Sequence, residues 1–302
     1  MVLHRDPAQH PGGPTGSVTS HDAVSSLAEV AAGSGHGVVL VFMADHELDA
    51  LLAGFRPISL ERLDDRAALL HRVDAKYLLA RDELRELLAR FAADHDVLEI
   101  DGRRRFAYRT IYFDDADLRT FHEHVAGHRP RFKLRTRCYL DNHRCQFEVK
   151  VKTVDDTTDK RQADHPADAA DRIGAAATRL VDEALRDAGA EPIRDLRPVL
   201  ATEFQRFTLA ARAGSERATC DLALRLSRVD DDSQARLRDE RVVLETKSED
   251  GDSAIDQALR DARIGAVAMS KYRLGIDLLV EPDSSGETAG LRRLFKRVPA
   301  DA

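Results

Sequence analysis

Residues 132–153, FKLRTRCYLDNHRCQFEVKVKT, constrain the fold more than any other part of the chain. Lys133, Arg135 and Arg137 share one parity, with Leu134, Thr136 and Cys138 on the other. After a turn region containing Arg144 the alternation resumes, with Glu148, Lys150 and Lys152 on one side and Val149 and Val151 on the other. Side chains of a strand point alternately to the two faces of a sheet, so these are two strands with one apolar and one charged face. For a strand taken singly, the ordinary reading is a half-exposed sheet whose polar side faces water.

The same alternation recurs along the chain. In RVDAKYLLA (72–80), Arg72, Asp74 and Lys76 share a face. Thr202, Phe204 and Arg206 do so in PVLATEFQRFTLAAR (198–212), Arg217, Thr219 and Asp221 in ERATCDLALRLSR (216–228), and Glu245 with Lys247 in RVVLETKSE (241–249). KYRLGIDLLV (271–280) also reads as a strand, and Asp101-Gly102 predicts a tight hairpin between two β-like runs. Periodicity and caps predict helices at 48–54, 59–71, 82–93, 117–127, 168–189 and 253–264. The last is opened by Ser253 and Asp256 in a capping-box pattern. Strands dominate and no βαβ rhythm is present, which favours a mostly antiparallel α+β fold.

A charged face repeated on four or more strands needs a common explanation. A barrel with a polar interior would gather Lys76, Lys133, Arg135, Arg137, Lys150, Lys152, Arg206, Arg217, Lys247 and Lys271, offset by Glu148, Asp221 and Glu245. Close cations at low effective dielectric repel by several kcal/mol, roughly, per pair, so such an interior calls for a strongly anionic ligand. Phosphate chains meet that need, since Arg binds phosphate oxygens through a two-pronged fork and Lys supplies compact charge. The few carboxylates suit Mg²⁺ or Mn²⁺, which accept oxygen ligands and water.

Composition narrows the alternatives. With 302 residues and 43% hydrophobic content the chain can bury a real core. Its 46 Lys+Arg against 53 Asp+Glu give a net charge of -7, which disfavours a globally basic nucleic-acid binder. No apolar run approaches the ~18 residues that would mark a membrane span. Cys138, Cys145 and Cys220 lack C-x-x-C spacing and predict reduced thiols in a cytoplasmic setting. The Gly/Pro/Ser/His-rich stretch 1–42 predicts a disordered tail, with Met43 a candidate start; 43–281 is the expected folded domain and 282–302 a flexible tail. His124 and His128 stand four apart on a predicted helix without a third zinc ligand and read as a solvated face. AAGSGHG (31–37) lacks the Lys-Ser/Thr of a phosphate-binding loop.

RVDAKYLL (72–79), YRTIYFDD (108–115), KLRTR (133–137), FEVKVK (147–152), Lys160-Arg161, EFQRF (203–207), RATCD (217–221), LETK (244–247) and SKYRLG (270–275) follow one another in an order that resembles the VTC domain family, over roughly residues 48–280. The resemblance implies the triphosphate tunnel fold: an eight-stranded antiparallel barrel open at both ends, with helices packed outside. It implies a metal-dependent polyphosphate polymerase that moves the γ-phosphate of ATP onto a growing chain. By motif, Lys76, Arg135, Arg137, Lys150, Arg206 and Arg217 are then the phosphate-coordinating set. Lys160 with Arg161, and Lys271, add further basic tunnel positions beside Lys133, Lys152 and Lys247. Glu245 is the metal carboxylate, with Glu148 a second candidate. A tunnel-type hydrolase of tripolyphosphate or thiamine triphosphate and a non-catalytic polyphosphate-binding domain are the competing expectations.

Overall fold

A computed structural model describes residues 46–66, 73–231, 233–283 and 286–298. The expected tail over 1–42 lies outside the described residues. In chain order the elements are α1 (His46–Ala53), β1 (Arg56–Ile58), α2 (Leu60–Arg66), β2 (Val73–Ala80), α3 (Arg81–Phe91), β3 (His95–Leu98), β4 (Phe106–Asp114), α4 (Arg119–Val125), β5 (Arg131–Tyr139), β6 (Arg144–Lys152), β7 (Thr158–His165), α5 (Ala175–Asp187), β8 (Arg197–Ala211), β9 (Arg217–Arg228), β10 (Gln234–Leu237), β11 (Arg241–Ser248), α6 (Ala254–Asp261), α7 (Lys271–Leu279), α8 (Ala289–Arg292) and β12 (Phe295–Val298).

Eight strands, in the order β2-β11-β9-β8-β4-β5-β6-β7, pair antiparallel at every step. This is the expected eight-stranded sheet, curled but not sealed, because β2 and β7 are its two edges. The curl brings the edges to face each other: Lys150 of β6 lies within electrostatic reach of Asp74 and Lys76 of β2 and of Glu245 of β11.

The outer face is apolar and covered, as its parity requires. Ile111, Phe113, Phe132, Leu134, Phe147 and Val149 pack on Ala177, Val181 and Leu185 of α5. Tyr77, Leu79, Phe207, Leu209, Cys220 and Leu244 pack on α1, α3 and α6. Each such fully buried aliphatic or aromatic side chain contributes about 1.5–3 kcal/mol. Asp256 fastens α6 by accepting hydrogen bonds from Tyr77 Oη at 2.7 Å and Thr246 Oγ1 at 2.6 Å, and it closes the capping box with Ser253.

Several expectations fail for identifiable reasons. Residues 271–280 form helix α7, not a strand. Its apolar residues are nearly continuous and the whole segment from Tyr272 to Leu279 is buried, so the period carried no signal. Nor is the barrel open at both ends, because α7 packs against the inner side chains Tyr112, Leu200, Phe204, Leu226 and Val243. Gly275 allows this approach, since a Cβ there would overlap the Leu200 methyls.

Asp101-Gly102 does make a tight turn, with Ile100 and Arg103 bridged, but β3 and β4 do not pair with each other. Both lie instead along the same long neighbour, β8, at 209–211 and 197–206. The C-terminal segment is not a free tail: β12 pairs with β10. Cys138 and Cys145, expected as free thiols, are directly opposed in the β5–β6 hairpin and joined by a disulfide. Cys220 is free and buried. No helix among the described residues is long and apolar enough to cross a membrane.

Candidate functional site

Three of the carboxylates on the inner face, Glu148, Asp221 and Glu245, are each surrounded by cations. Glu148 of β6 is 1% exposed and lies opposite Arg135, whose Nε donates to it at 2.6 Å. Lys160 of β7 approaches it to 2.8 Å and Arg137 to 4.0 Å. Burial works to raise this carboxyl, but Arg135, Arg137 and Lys160 override it and bring it down to about 2.

Asp221 of β9 receives both prongs of Arg206 of β8, at 2.6 and 2.9 Å, and also the ammonium of Lys271. Burial opposes its ionisation too, and Arg206 and Lys271 prevail. Glu245 of β11 lies opposite Lys76 of β2 at 3.6 Å and accepts from Lys247 at 2.5 Å. It is held well below the usual carboxylate range, against burial, by Lys247, Lys76 and Arg206. Lys247 in turn lies 3.5 Å from Asp74.

Lys133 is the cation least compensated by carboxylates. Its Nζ donates to Ser270 Oγ at 3.1 Å. Burial, then Lys150, Arg135 and Lys76, push it down to about 7. Lys150 is lowered for the same first reason, although Asp74 and Glu245 draw it back up. Arg206 spreads over the stacked pair Tyr108 and Phe204, 5.5 and 5.1 Å from the ring centres, and Lys271 lies 4.5 Å from that of Phe204. Aromatic faces attract cations, and these hold two of the site's charges in place.

Most of the residues expected from sequence therefore meet on one face: Lys76, Lys133, Arg135, Arg137, Lys150, Lys160, Arg206, Lys247 and Lys271, with Glu148 and Glu245. Arg217 joins the same face in register with Lys247. Lys271 arrives from the first turn of α7 and not from a strand.

Two expected residues are elsewhere. Arg161 has the opposite parity from Lys160 and pairs on the outer face with Asp159 at 2.9 Å and Asp187 of α5 at 2.8 Å. Lys152 has the right parity but ends β6, where Asp156 of the following turn takes it at 3.3 Å. Sequence reasoning missed Ser270 as a partner of Lys133, although a Ser before a helical run signals an N-cap and its Oγ does accept from the Arg273 amide. It also missed Asp114, which accepts from the Thr120 and Phe121 amides and from Tyr272 Oη. That carboxylate ties β4, α4 and α7 together behind Ser270 and Lys271.

Among the described residues no three His, Cys, Asp or Glu side chains converge as a metal cage. With so few convergent carboxylates, a divalent cation here would need most of its oxygen ligands from water or substrate, as Mg²⁺ commonly does.

The pattern of the VTC domain matches residues 71–280, more than half of the chain. The chain belongs to the VTC domain family. No curated protein matches it. Among solved structures this VTC domain is similar to a putative adenylyl cyclase, HpAC1, from Hippeastrum, described as having a dominant triphosphatase activity. Identity is 13% and the TM-score 0.41, over 70% of this chain and 99% of that one. A putative adenylate cyclase from Vibrio parahaemolyticus follows at 12% identity and TM-score 0.36, over 64% and 82%. The Pct1 RNA triphosphatase of S. pombe gives 10% and 0.25, over 65% and 77%. At these scores none of the three likenesses bears on what this VTC domain does.

Proposed function

We propose that this VTC domain is a metal-dependent polyphosphate polymerase, transferring the γ-phosphate of ATP to the end of a phosphate chain held on the inner face of the sheet. The observation that supports it is the charge count there: ten cations (Lys76, Lys133, Arg135, Arg137, Lys150, Lys160, Arg206, Arg217, Lys247, Lys271) meet four carboxylates (Asp74, Glu148, Asp221, Glu245). An excess of this size, on a face already half-buried, is relieved by a polyanion and not by one carboxylate or one base.

In the transfer, a terminal oxygen of the chain forms a bond to Pγ as the bond from Pγ to the β-bridging oxygen breaks and ADP leaves. The nucleophile is already an anion, so no general base is required, and the task is positioning and charge. Arg135 and Arg206 are already oriented by hydrogen bonds to Glu148 and Asp221 before substrate arrives, and Arg137 stands 4.0 Å from Glu148. Glu245, drawn by Lys76 and Lys247 when alone, is the carboxylate that would hold Mn²⁺ or Mg²⁺ with the phosphates. Bound there, such an ion would supply charge neutralisation for the phosphoryl oxygens. ATP as donor carries with it a cytoplasmic setting.

A tunnel-type hydrolase of tripolyphosphate or thiamine triphosphate is the second reading. It is favoured by α7, which fills one end of the inner face and so suits a short substrate. Incubating the protein with ATP and Mn²⁺ separates them. Long chains on a gel support the polymerase, orthophosphate without chains the hydrolase, and binding without turnover a non-catalytic phosphate-chain domain. In the same assay Glu245→Gln is expected to lower turnover by about a hundredfold or more, the scale of losing one charge-stabilising group. Unchanged turnover would remove Glu245 from the metal.

A further inference from the structure

One aromatic side chain on the inner face serves neither the packed cores nor the cations of the site. A lateral row of the sheet runs Phe204, Tyr108, Tyr139 and Arg144 across β8, β4, β5 and β6. Residues directly opposite one another in a sheet point to the same face, and this row has the parity of Arg137 and Glu148. Phe204 and Tyr108 carry Arg206 and Lys271 on their rings. Tyr139 is half-buried, and its ring meets that of Tyr108 at 5.1 Å. Among the described residues it holds no cation and joins none of the hydrophobic cores. Opposite it, Arg144 is exposed and forms no ion pair with a described carboxylate.

The pair lies at the hairpin end of β5 and β6, away from the Lys133–Ser270 contact that marks the start of α7. Its backbone is fixed without help from either side chain. Asp141 of the hairpin tip accepts from the Ala107 amide at 2.7 Å and from Arg103 at 3.0 Å. On the outer face the Cys138–Cys145 disulfide joins the same two strands. A ring with an open face on a fixed strand pair is a preformed stacking surface, which lowers the ordering cost of binding.

Arg137 precedes Tyr139 on the same face by two strand positions, roughly 7 Å. It approaches Glu148 only to 4.0 Å, and its Nε is buried without a hydrogen-bond partner. A phosphate taken by Arg137 and a flat ring laid on Tyr139 are one ribose apart. A polyphosphate chain has no ring to stack, so by itself it leaves Tyr139 idle. Thiamine triphosphate has rings, but its thiazolium is a cation that the unpaired Arg144 repels. A nucleobase is neutral, and it stacks both on tyrosine and on the guanidinium plane.

We propose that Tyr139 and Arg144 form the base-binding site for a nucleoside triphosphate whose phosphates run inward from Arg137. The proposal rests on the phosphate reading above and adds to it the residues that hold the base of the donor.

Calorimetric titration of the full chain with a non-hydrolysable ATP analogue and with tripolyphosphate, without divalent metal, tests both. Tyr139→Ala should weaken the nucleotide about five- to hundredfold, the scale of one stacked base, while changing tripolyphosphate by no more than about twofold. Tyr139→Phe keeps the ring and should retain most of the nucleotide affinity. Arg144→Gln, at an exposed position, should weaken the nucleotide by a smaller factor and again spare tripolyphosphate. Equal losses for the two ligands, no loss with Tyr139→Ala, or a loss for thiamine triphosphate and none for the nucleotide would overturn the base site while leaving the inner phosphate site standing. If the unsubstituted protein binds neither ligand, the phosphate reading itself falls, before any variant is compared.

Discussion

Lys133 shows what a single residue reports about the site. Its ammonium is pushed down to about 7 by burial and by Lys150, Arg135 and Lys76, against about 10.4 in an unfolded chain. Between those values the unfolded chain carries the proton and the folded one does not, so this group makes stability rise with pH from about 7 to about 10. Below about 7 the folded protein bears the full burden of the buried charge. A phosphate chain reverses the balance by favouring the ammonium, and binding at pH 8 should take up close to one proton. Titration in buffers of different ionisation heats measures this, and Lys133→Met should abolish most of the uptake; buffer-independent heats would contradict it. Parity made Lys133, Arg135 and Arg137 readable from the sequence, because an alternating strand allows each only one face. The same rule applied to Lys160-Arg161 separates the two, and only the motif had kept them together. Lys152 was lost to Asp156, a turn contact that no period announces.

At the scale of elements, α7 does most to turn an open sheet into a site. It brings Ser270 and Lys271 to the inner face, is clamped behind by Tyr272 on Asp114, and rests on β8 through Gly275. Gly275→Ala would improve helix propensity by up to about 1 kcal/mol, but the new methyl overlaps Leu200, and overpacking of this kind costs about 1–3 kcal/mol. The expected net effect is a lower melting temperature together with weaker phosphate-chain binding, because displaced Lys271 no longer meets Asp221. A variant as stable and as tight-binding as the parent would show that α7 does not position the site. The sequence pointed to this segment through SKYRLG and yet concealed its shape. A helix buried on all sides loses the polar stripe by which helices are recognised. β7 escaped notice for the opposite reason. As an edge strand with no buried residue, its run TDKRQADH has no apolar alternation at all.

For the whole molecule, ten cations against four carboxylates mean that the empty protein opposes part of its own folding energy. Any phosphate ligand should relieve this. Tripolyphosphate at a hundred times its dissociation constant should add about 2.7 kcal/mol, seen as a rise in melting temperature of roughly 5–10 °C for a domain of this size. Raising the salt concentration should shrink the rise, because ions screen exposed charge. Antiparallel architecture and the polar interior were readable because they rest on period-two patterns repeated in many strands. The strand order was not, since it depends on pairings between distant segments. The most distant of the eight-strand set joins β2, its first strand in the chain, to β11, its last, through the eight-residue register from Val73–Ser248 to Ala80–Arg241. Until β11 has been synthesised, Lys76 has no Glu245 and β2 has no neighbour in the sheet. A chain emerging from the ribosome can therefore pair β4 to β9, with seven of the ten cations side by side, before the corner of Lys76, Glu245 and Lys247 exists.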